Sequence, residues 1–177
     1  TTTTYYRSTD NGVSFTAISG TGLPSTSSLN RMKIAVTAAD PTYVYIVTGS
    51  ASTSGLYGFY QSKDQGLTFT LKASSPNLLG SQSWYATAIG ASPVNKGEIV
   101  VGGLSSFRST DEGATWTDIG GPIHVDYHDA KFSPNGGTLM VGNDGGAYKT
   151  INSGSTWTSL KKGLQIAQAY GCGLSAK

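Results

Sequence analysis

Apolar and polar positions along this chain group into short runs separated by turn residues. Arg31 to Pro41 is an apolar-rich segment that ends in a proline turn and is followed by the β-branched run Tyr43–Gly49. The same order recurs twice: Trp84–Pro93 then Glu98–Gly103, and His128–Pro134 then Thr138–Gly142. Runs of this length, rich in Val, Ile and Tyr and bounded by Pro and Gly, predict strands rather than helices. Each pair therefore reads as strand, proline turn, strand, glycine.

A third short strand then leads into an octapeptide that occurs four times. Ser8–Phe15 reads S-T-D-N-G-V-S-F, Ser62–Phe69 S-K-D-Q-G-L-T-F, Ser109–Trp116 S-T-D-E-G-A-T-W and Thr150–Trp157 T-I-N-S-G-S-T-W. The four starts are spaced by 54, 47 and 41 residues, the period of propeller blades built from four strands each. The octapeptide is expected to be a tight hairpin between the last two strands of a blade. Asp10, Asp64, Asp111 and Asn152 accept hydrogen bonds from backbone N–H groups just downstream, and Gly12, Gly66, Gly113 and Gly154 supply a positive φ that a side chain resists. The hydroxyls of Ser8, Ser62, Ser109 and Thr150 bond across the loop. Phe15, Phe69, Trp116 and Trp157 open the outgoing strand and can pack into the gap between neighbouring sheets, with Trp116 and Trp157 expected to be mostly buried. The chain thus reads as an all-β, open-arc fragment of a β-propeller over 1–177: the end of a blade at 5–18, blades at 29–73, 84–120 and 124–160, and the first strand of a further blade at 166–175. Such an arc leaves edges and faces uncovered, so the remainder of the same propeller, or another chain, is the expected partner.

Composition narrows the function classes. With 24 glycines, 10% aromatic and 12% charged residues, the 177-residue chain is neither a coiled coil nor a disordered polymer. Twelve basic residues against ten acidic ones give a net charge of +2, and the basic side chains are scattered, so no nucleic-acid footprint is expected. No run approaches the length of a membrane span. No cofactor motif is read. The single cysteine, Cys172, lies in an apolar stretch with no basic neighbour and is expected to be a buried small side chain rather than a reactive thiol.

The pattern Ser-x-Asp-x-Gly-x-Thr-Trp, best kept by Ser109–Trp116, is similar to the Asp-box or BNR repeat of sialidases, sortilin-type receptors, propeller xyloglucanases and a photosystem assembly factor. That resemblance implies the hairpin and leaves the chemistry open. A narrower resemblance is carried by His124–Asp129, by Gly142–Tyr148 and by Gly163–Tyr170. These segments look like the sortilin-like or glycosyl hydrolase-like propellers of large exported Bacteroidetes proteins that use type IX secretion, which implies a secreted or cell-surface protein. A sialidase would need three arginines converging on a carboxylate, but Arg7 and Arg108 precede boxes at equivalent blade positions, and the third is Arg31.

Ordinary glycoside hydrolysis needs two carboxylates facing one bond. Glu98 begins a strand beside a turn, Glu112 lies inside a box, Asp40 sits in a proline turn and Asp118 follows a box strand. Asp126, Asp129 and Asp144 are left, and Asp126 with Asp144 is the weak catalytic candidate. His124, Asp126 and His128 alternate and would project to one side if their segment is extended, making a ligand site with Asp144. Two imidazoles and a carboxylate are donors suited to zinc, although neighbours two apart on a strand stand roughly 7 Å from each other. We read these residues first as a polar network bracing the Gly142–Gly146 loop, with a sugar or peptide ligand and a metal as alternatives. The reading favoured for the whole is a non-catalytic binding or scaffolding propeller module with a glycan or protein ligand. The alternative is part of a secreted xyloglucanase-like or sialidase-like glycoside hydrolase.

Overall fold

The computed structural model describes residues 4–163; the strand expected at 166–175 and Cys172 lie outside the described residues. Among the described residues, fourteen strands form four antiparallel sheets in chain order. The first sheet has two strands, β1 (Thr4–Arg7) and β2 (Thr16–Ser19). The second comprises β3 (Leu29–Val36), β4 (Val44–Ser50), β5 (Leu56–Ser62) and β6 (Thr70–Ala73). The third comprises β7 (Ala88–Ala91), β8 (Ile99–Gly102), β9 (Ser106–Ser109) and β10 (Thr117–Asp118). The fourth comprises β11 (Tyr127–Phe132), β12 (Leu139–Asn143), β13 (Gly146–Thr150) and β14 (Thr158–Ser159). Each four-stranded sheet is a simple meander, and the first strands of successive sheets lie beside one another, β3 against β7 and β7 against β11.

The second strands explain why their sequence is apolar throughout rather than alternating. Every residue of β4 is buried, because the sheet is covered on both faces. Tyr45 and Val47 enter the core shared with the third sheet, alongside Phe59, Ile99 and Val101, while Val44 and Ile46 enter the core facing the first sheet with Tyr60 and Phe69. In β8, Ile99 and Val101 point one way and Val100 the other, into a core with Tyr127, Leu139 and Val141. An antiparallel strand with two buried faces takes on the uninterrupted hydrophobicity otherwise typical of parallel sheets.

The octapeptide hairpins have one geometry. Asp10, Asp64, Asp111 and Asn152 each accept the backbone N–H four residues on, at 2.9 Å. The hydroxyls of Ser8, Ser62, Ser109 and Thr150 accept the N–H of Gly12, Gly66, Gly113 and Gly154 at 2.8 to 2.9 Å. Two consecutive residues, and not the glycine alone, take positive φ: Asn11, Gln65, Glu112 and Ser153 lie between 58° and 62° ahead of glycines between 85° and 89°. The expectation for the aromatics holds only in part. Phe69 is buried, whereas Trp116 and Trp157 are half-buried and Phe15 is 62% exposed. Trp116 stands edge-on to Phe59 with ring centroids 5.0 Å apart, and Trp157 donates its indole N–H to the Ile119 carbonyl at 2.9 Å, so each ring covers the preceding sheet with one side only. Phe15 has no preceding sheet among the described residues.

The hydroxyl and amide donors around Asp10, Asp64 and Asp111 hold these carboxyls down to about 2. An unfolded aspartate titrates near pH 3.9, so the unfolded chain binds these protons first. Their contribution to stability is therefore complete above about pH 4 and disappears as pH falls towards about 2. Urea midpoints measured in that window are expected to decline steeply. In D64N, whose amide keeps one acceptor, the decline should be shallower, and an unchanged slope would refute the assignment.

Candidate functional site

The histidine-bearing segment enters β11 from the connection after β10. Tyr127 anchors it: the ring is buried, the hydroxyl donates to the Gly120 carbonyl at 3.2 Å and the backbone N–H donates to the Gly103 carbonyl at 2.8 Å. The pairing of β11 with β12 shifts register between Tyr127 and Asp129, so His128 occupies a bulge. Bulges re-aim a side chain out of the regular alternation. The facing hairpin, β12 to β13, turns through Asp144 and Gly145, and brings the Asp144 carboxylate Oδ1 to 2.6 Å from His128 Nε2. Asn143, the last residue of β12, is buried; its amide N–H donates to the His124 carbonyl, and its oxygen accepts the Gly145 N–H at 3.0 Å. Gly145 is required at this spot, since a Cβ there would stand 2.3 Å from His124 Cβ.

The alternating triad is not what forms. Only from Tyr127 onward is the segment a strand, and Asp126 takes φ 65°, a left-handed conformation that breaks the extended alternation on which a common direction for His124, Asp126 and His128 depended. His128 pairs with Asp144, and His124 packs its main chain on the hairpin and keeps its ring Nδ1 3.0 Å from the Val125 carbonyl. One Asp126 oxygen, Oδ1, is buried without a hydrogen-bond partner. Among the described residues, no three His, Cys, Asp or Glu side chains are grouped to hold a metal ion. The bracing of the Gly142–Gly146 loop by both histidines is present, through the His128 ring and the His124 carbonyl.

The connection before β7 and strand β3 complete the surface around His128. Tyr85 meets the imidazole edge-on at 4.9 Å between centroids, and Trp84 lies against Tyr85 at 5.7 Å. Trp84 is 53% exposed, so an indole lies open to solvent beside the His128–Asp144 hydrogen bond. From β3, Arg31 donates to the Trp84 carbonyl, and Lys33 donates to the His128 carbonyl at 2.7 Å. Burial lowers the Lys33 pKa, with the nearby Asp129 opposing it and Arg31 and Lys131 adding to it. Trp84 and Tyr85 were legible only as the opening of an apolar segment; their position just ahead of β7, at the same end of the sheet as the start of β11, was the available signal.

The remaining ionisable candidates serve other contacts. Arg7 donates to the Gln65 carbonyl at 3.1 Å and Arg108 pairs with Glu98 at 2.8 Å, so these two and Arg31 occupy three separate places. Glu112 does more than fill a loop: it pairs with Lys63 at 2.8 Å and accepts from Gln61 and Tyr43 at 3.1 Å, tying the third hairpin to the second sheet. Lys63, followed by Gln61 and Tyr43, keeps the Glu112 carboxyl below the usual range against the opposing effect of burial.

This architecture is that of a β-propeller, of which the chain spans a part. No family model matches the chain. It is 28% identical over 151 residues to a protein of Neosartorya fischeri described as a probable oligoxyloglucan-reducing end-specific xyloglucanase, an alignment that takes in 75% of this chain and 18% of that protein. A GH74 enzyme of Niastella koreensis superposes with a TM-score of 0.67 at 23% identity, over 89% of this chain and 26% of the enzyme. YCF48, in a structure with a D1 peptide bound, superposes with a TM-score of 0.54 at 17% identity, over 75% of this chain and 40% of YCF48. These likenesses establish the fold. The chain spans about a fifth of the length of the curated relative.

Proposed function

We propose that this chain is a glycan-binding segment of an exported propeller of the Asp-box type, with 29–73, 84–120 and 124–160 as its blades, and that it contributes a binding surface rather than a complete catalytic centre. The observation that carries the reading is the exposed Trp84–Tyr85 pair beside the hydrogen-bonded His128 and Asp144. An open indole face next to polar groups with fixed directions suits a sugar ring, whose C–H face stacks on the aromatic while its hydroxyls bond to carboxylate and imidazole. The similarity to a xyloglucanase supports a β-glucan backbone as the ligand class. A secreted or cell-surface location belongs to the same proposal.

Titration calorimetry with xyloglucan oligosaccharides is expected to show binding that W84A weakens about tenfold, equivalent to ~1.4 kcal/mol, with an unchanged melting temperature. Equal affinity of W84A and the parent chain, or no binding at all, would overturn it. The second reading, part of a hydrolase, rests on the same xyloglucanase similarity and makes Asp126 and Asp144 its acids. Release of reducing ends by this chain, lost in both D126N and D144N, would replace the binding reading by the catalytic one.

A further inference from the structure

The turn that presents Trp84 and Tyr85 is fixed from beneath. Ser83 is fully buried; its N–H donates to the Ser54 carbonyl at 2.8 Å, and its hydroxyl donates at 3.0 Å to Asn30 Oδ1, while the Asn30 amide donates to the Ser50 carbonyl at 2.8 Å. The N–H groups of Tyr85 and Ala86 both donate to the Gln82 carbonyl, at 2.9 and 2.8 Å. The residues that follow Asn30 and Ser83 are bonded as well, Arg31 Nη2 donating to the Trp84 carbonyl at 2.5 Å. An exposed guanidinium is thereby held at the residue that carries the exposed indole.

Charge at this place is unbalanced. Arg31 and Lys33 stand two apart on β3, where pairing with β4 is regular, so they share one side of the strand. Both reach across to the sheets that follow: Arg31 to Trp84 ahead of β7, and Lys33 to the His128 carbonyl of β11 at 2.7 Å. All ten acidic side chains of the chain lie among the described residues, and none of them forms an ion pair with Arg31 or Lys33. Asp129, close enough to act on Lys33, pairs with Lys131 at 3.4 Å, and Asp144 is bonded to His128 at 2.6 Å. Burial already opposes the Lys33 charge, and Arg31 and Lys131 act in the same direction. Two cations without a counter-ion, one of them half-buried, are stabilised when a carboxylate joins them.

We propose that the glycan taken at this platform is acidic: a hexuronate unit stacks on Trp84, and its carboxylate is held by the Arg31 guanidinium with Lys33 in support. This rests on the reading of Trp84 and Tyr85 as a sugar-binding surface. The planar guanidinium carries a fork of N–H donors matched to a carboxylate, and among the described residues the Trp84 carbonyl takes one of them. A neutral hexose would stack on the same indole but leave the rest of the fork to water. A β-glucan that carries uronate substituents meets both demands. An acidic peptide offers the same carboxylates, yet the open indole beside the directed His128 and Asp144 groups fits a rigid ring with hydroxyls at fixed positions better than a flexible side chain.

The test is titration calorimetry on the 177-residue chain with xyloglucan oligosaccharides bearing glucuronate, and with the same oligosaccharides after the uronate carboxyl is reduced to a primary alcohol, so that only the charge differs. The acidic set is expected to bind about tenfold more tightly, the worth of one charge-assisted pair. R31Q, its fold checked by circular dichroism, should bring the two sets to equal affinity, whereas W84A should weaken both. The preference should also shrink with added sodium chloride, a measurement on the parent chain that decides the matter if R31Q does not fold. Equal affinity of the parent chain for the two sets, a preference that R31Q keeps, or one indifferent to salt would overturn the proposal and leave the aromatic platform standing as a neutral sugar site. No binding of either set would overturn both readings. Displacement of the acidic set by an equal concentration of a polyglutamate peptide would overturn the uronate and assign the cations to a peptide.

Discussion

Replacing Gly113 by valine is expected to lower stability by about 3 to 5 kcal/mol, the sum of a backbone and a packing cost. At φ 85° the residue occupies the left-handed region, where a β-branched side chain is strained. Its Cβ would also fall 2.3 Å from the Phe59 ring. Phe59 has no room to retreat, because it is fully buried, stacked on Tyr45 with centroids 5.7 Å apart and met edge-on by Trp116 at 5.0 Å. Gly12 provides the control. It has φ 87° but nothing within 4 Å, so G12V keeps only the backbone term of about 1 to 2 kcal/mol. Urea denaturation of the two variants separates the terms, and equal losses would show that hairpin packing on the preceding sheet contributes nothing.

Truncating Tyr127 to alanine is expected to cost about 3 to 5 kcal/mol, and to phenylalanine about 1 kcal/mol. The ring is 1% exposed and belongs to the core between the third and fourth sheets with Val100, Ile119 and Val141. Burial drives its phenol pKa well above the ordinary value, with the charge of Asp118 and then Tyr148 acting in the same direction. The hydroxyl remains a donor to the Gly120 carbonyl across the whole working pH range, and Y127F removes that single bond while keeping the packing. Thermal unfolding followed by near-ultraviolet circular dichroism should rank the parent chain above Y127F and Y127F well above Y127A. If both variants lose the same amount, the hydrogen bond rather than the ring holds the segment.

The repeats were legible because each combines a local signal with a period. Asp or Asn followed two residues later by Gly specifies a hairpin through hydrogen bonds within eight residues, and these bonds need no partner from elsewhere in the chain. The apolar runs Val44–Ser50 and Ile99–Gly102 carried their own burial for a similar reason, since residues covered on both faces leave no polar alternation. The site was less legible. The spacing of His124, Asp126 and His128 suggested one direction, but the positive φ of Asp126 and the bulge at His128 arise from how β11 is pinned by Gly103 and Gly120, both remote from the segment in local pattern. No periodicity encodes such a departure.

The amino-acid sequence by itself determined the strands, the hairpins and their order, because these depend on backbone conformations and hydrogen bonds that close over a few residues. Only the tertiary structure decided which side chains meet. Gly90 is a strand residue like any other until β7 brings it to the Ala130 carbonyl of β11, where a Cβ would stand 2.6 Å from that oxygen. Tyr85 and His128 are 43 residues apart in the chain, yet their rings touch because β7 and β11 lie side by side. The packing of one sheet on the next sets these distances, and that packing sums many weak contacts from both faces of every sheet, none of which is written in a local pattern.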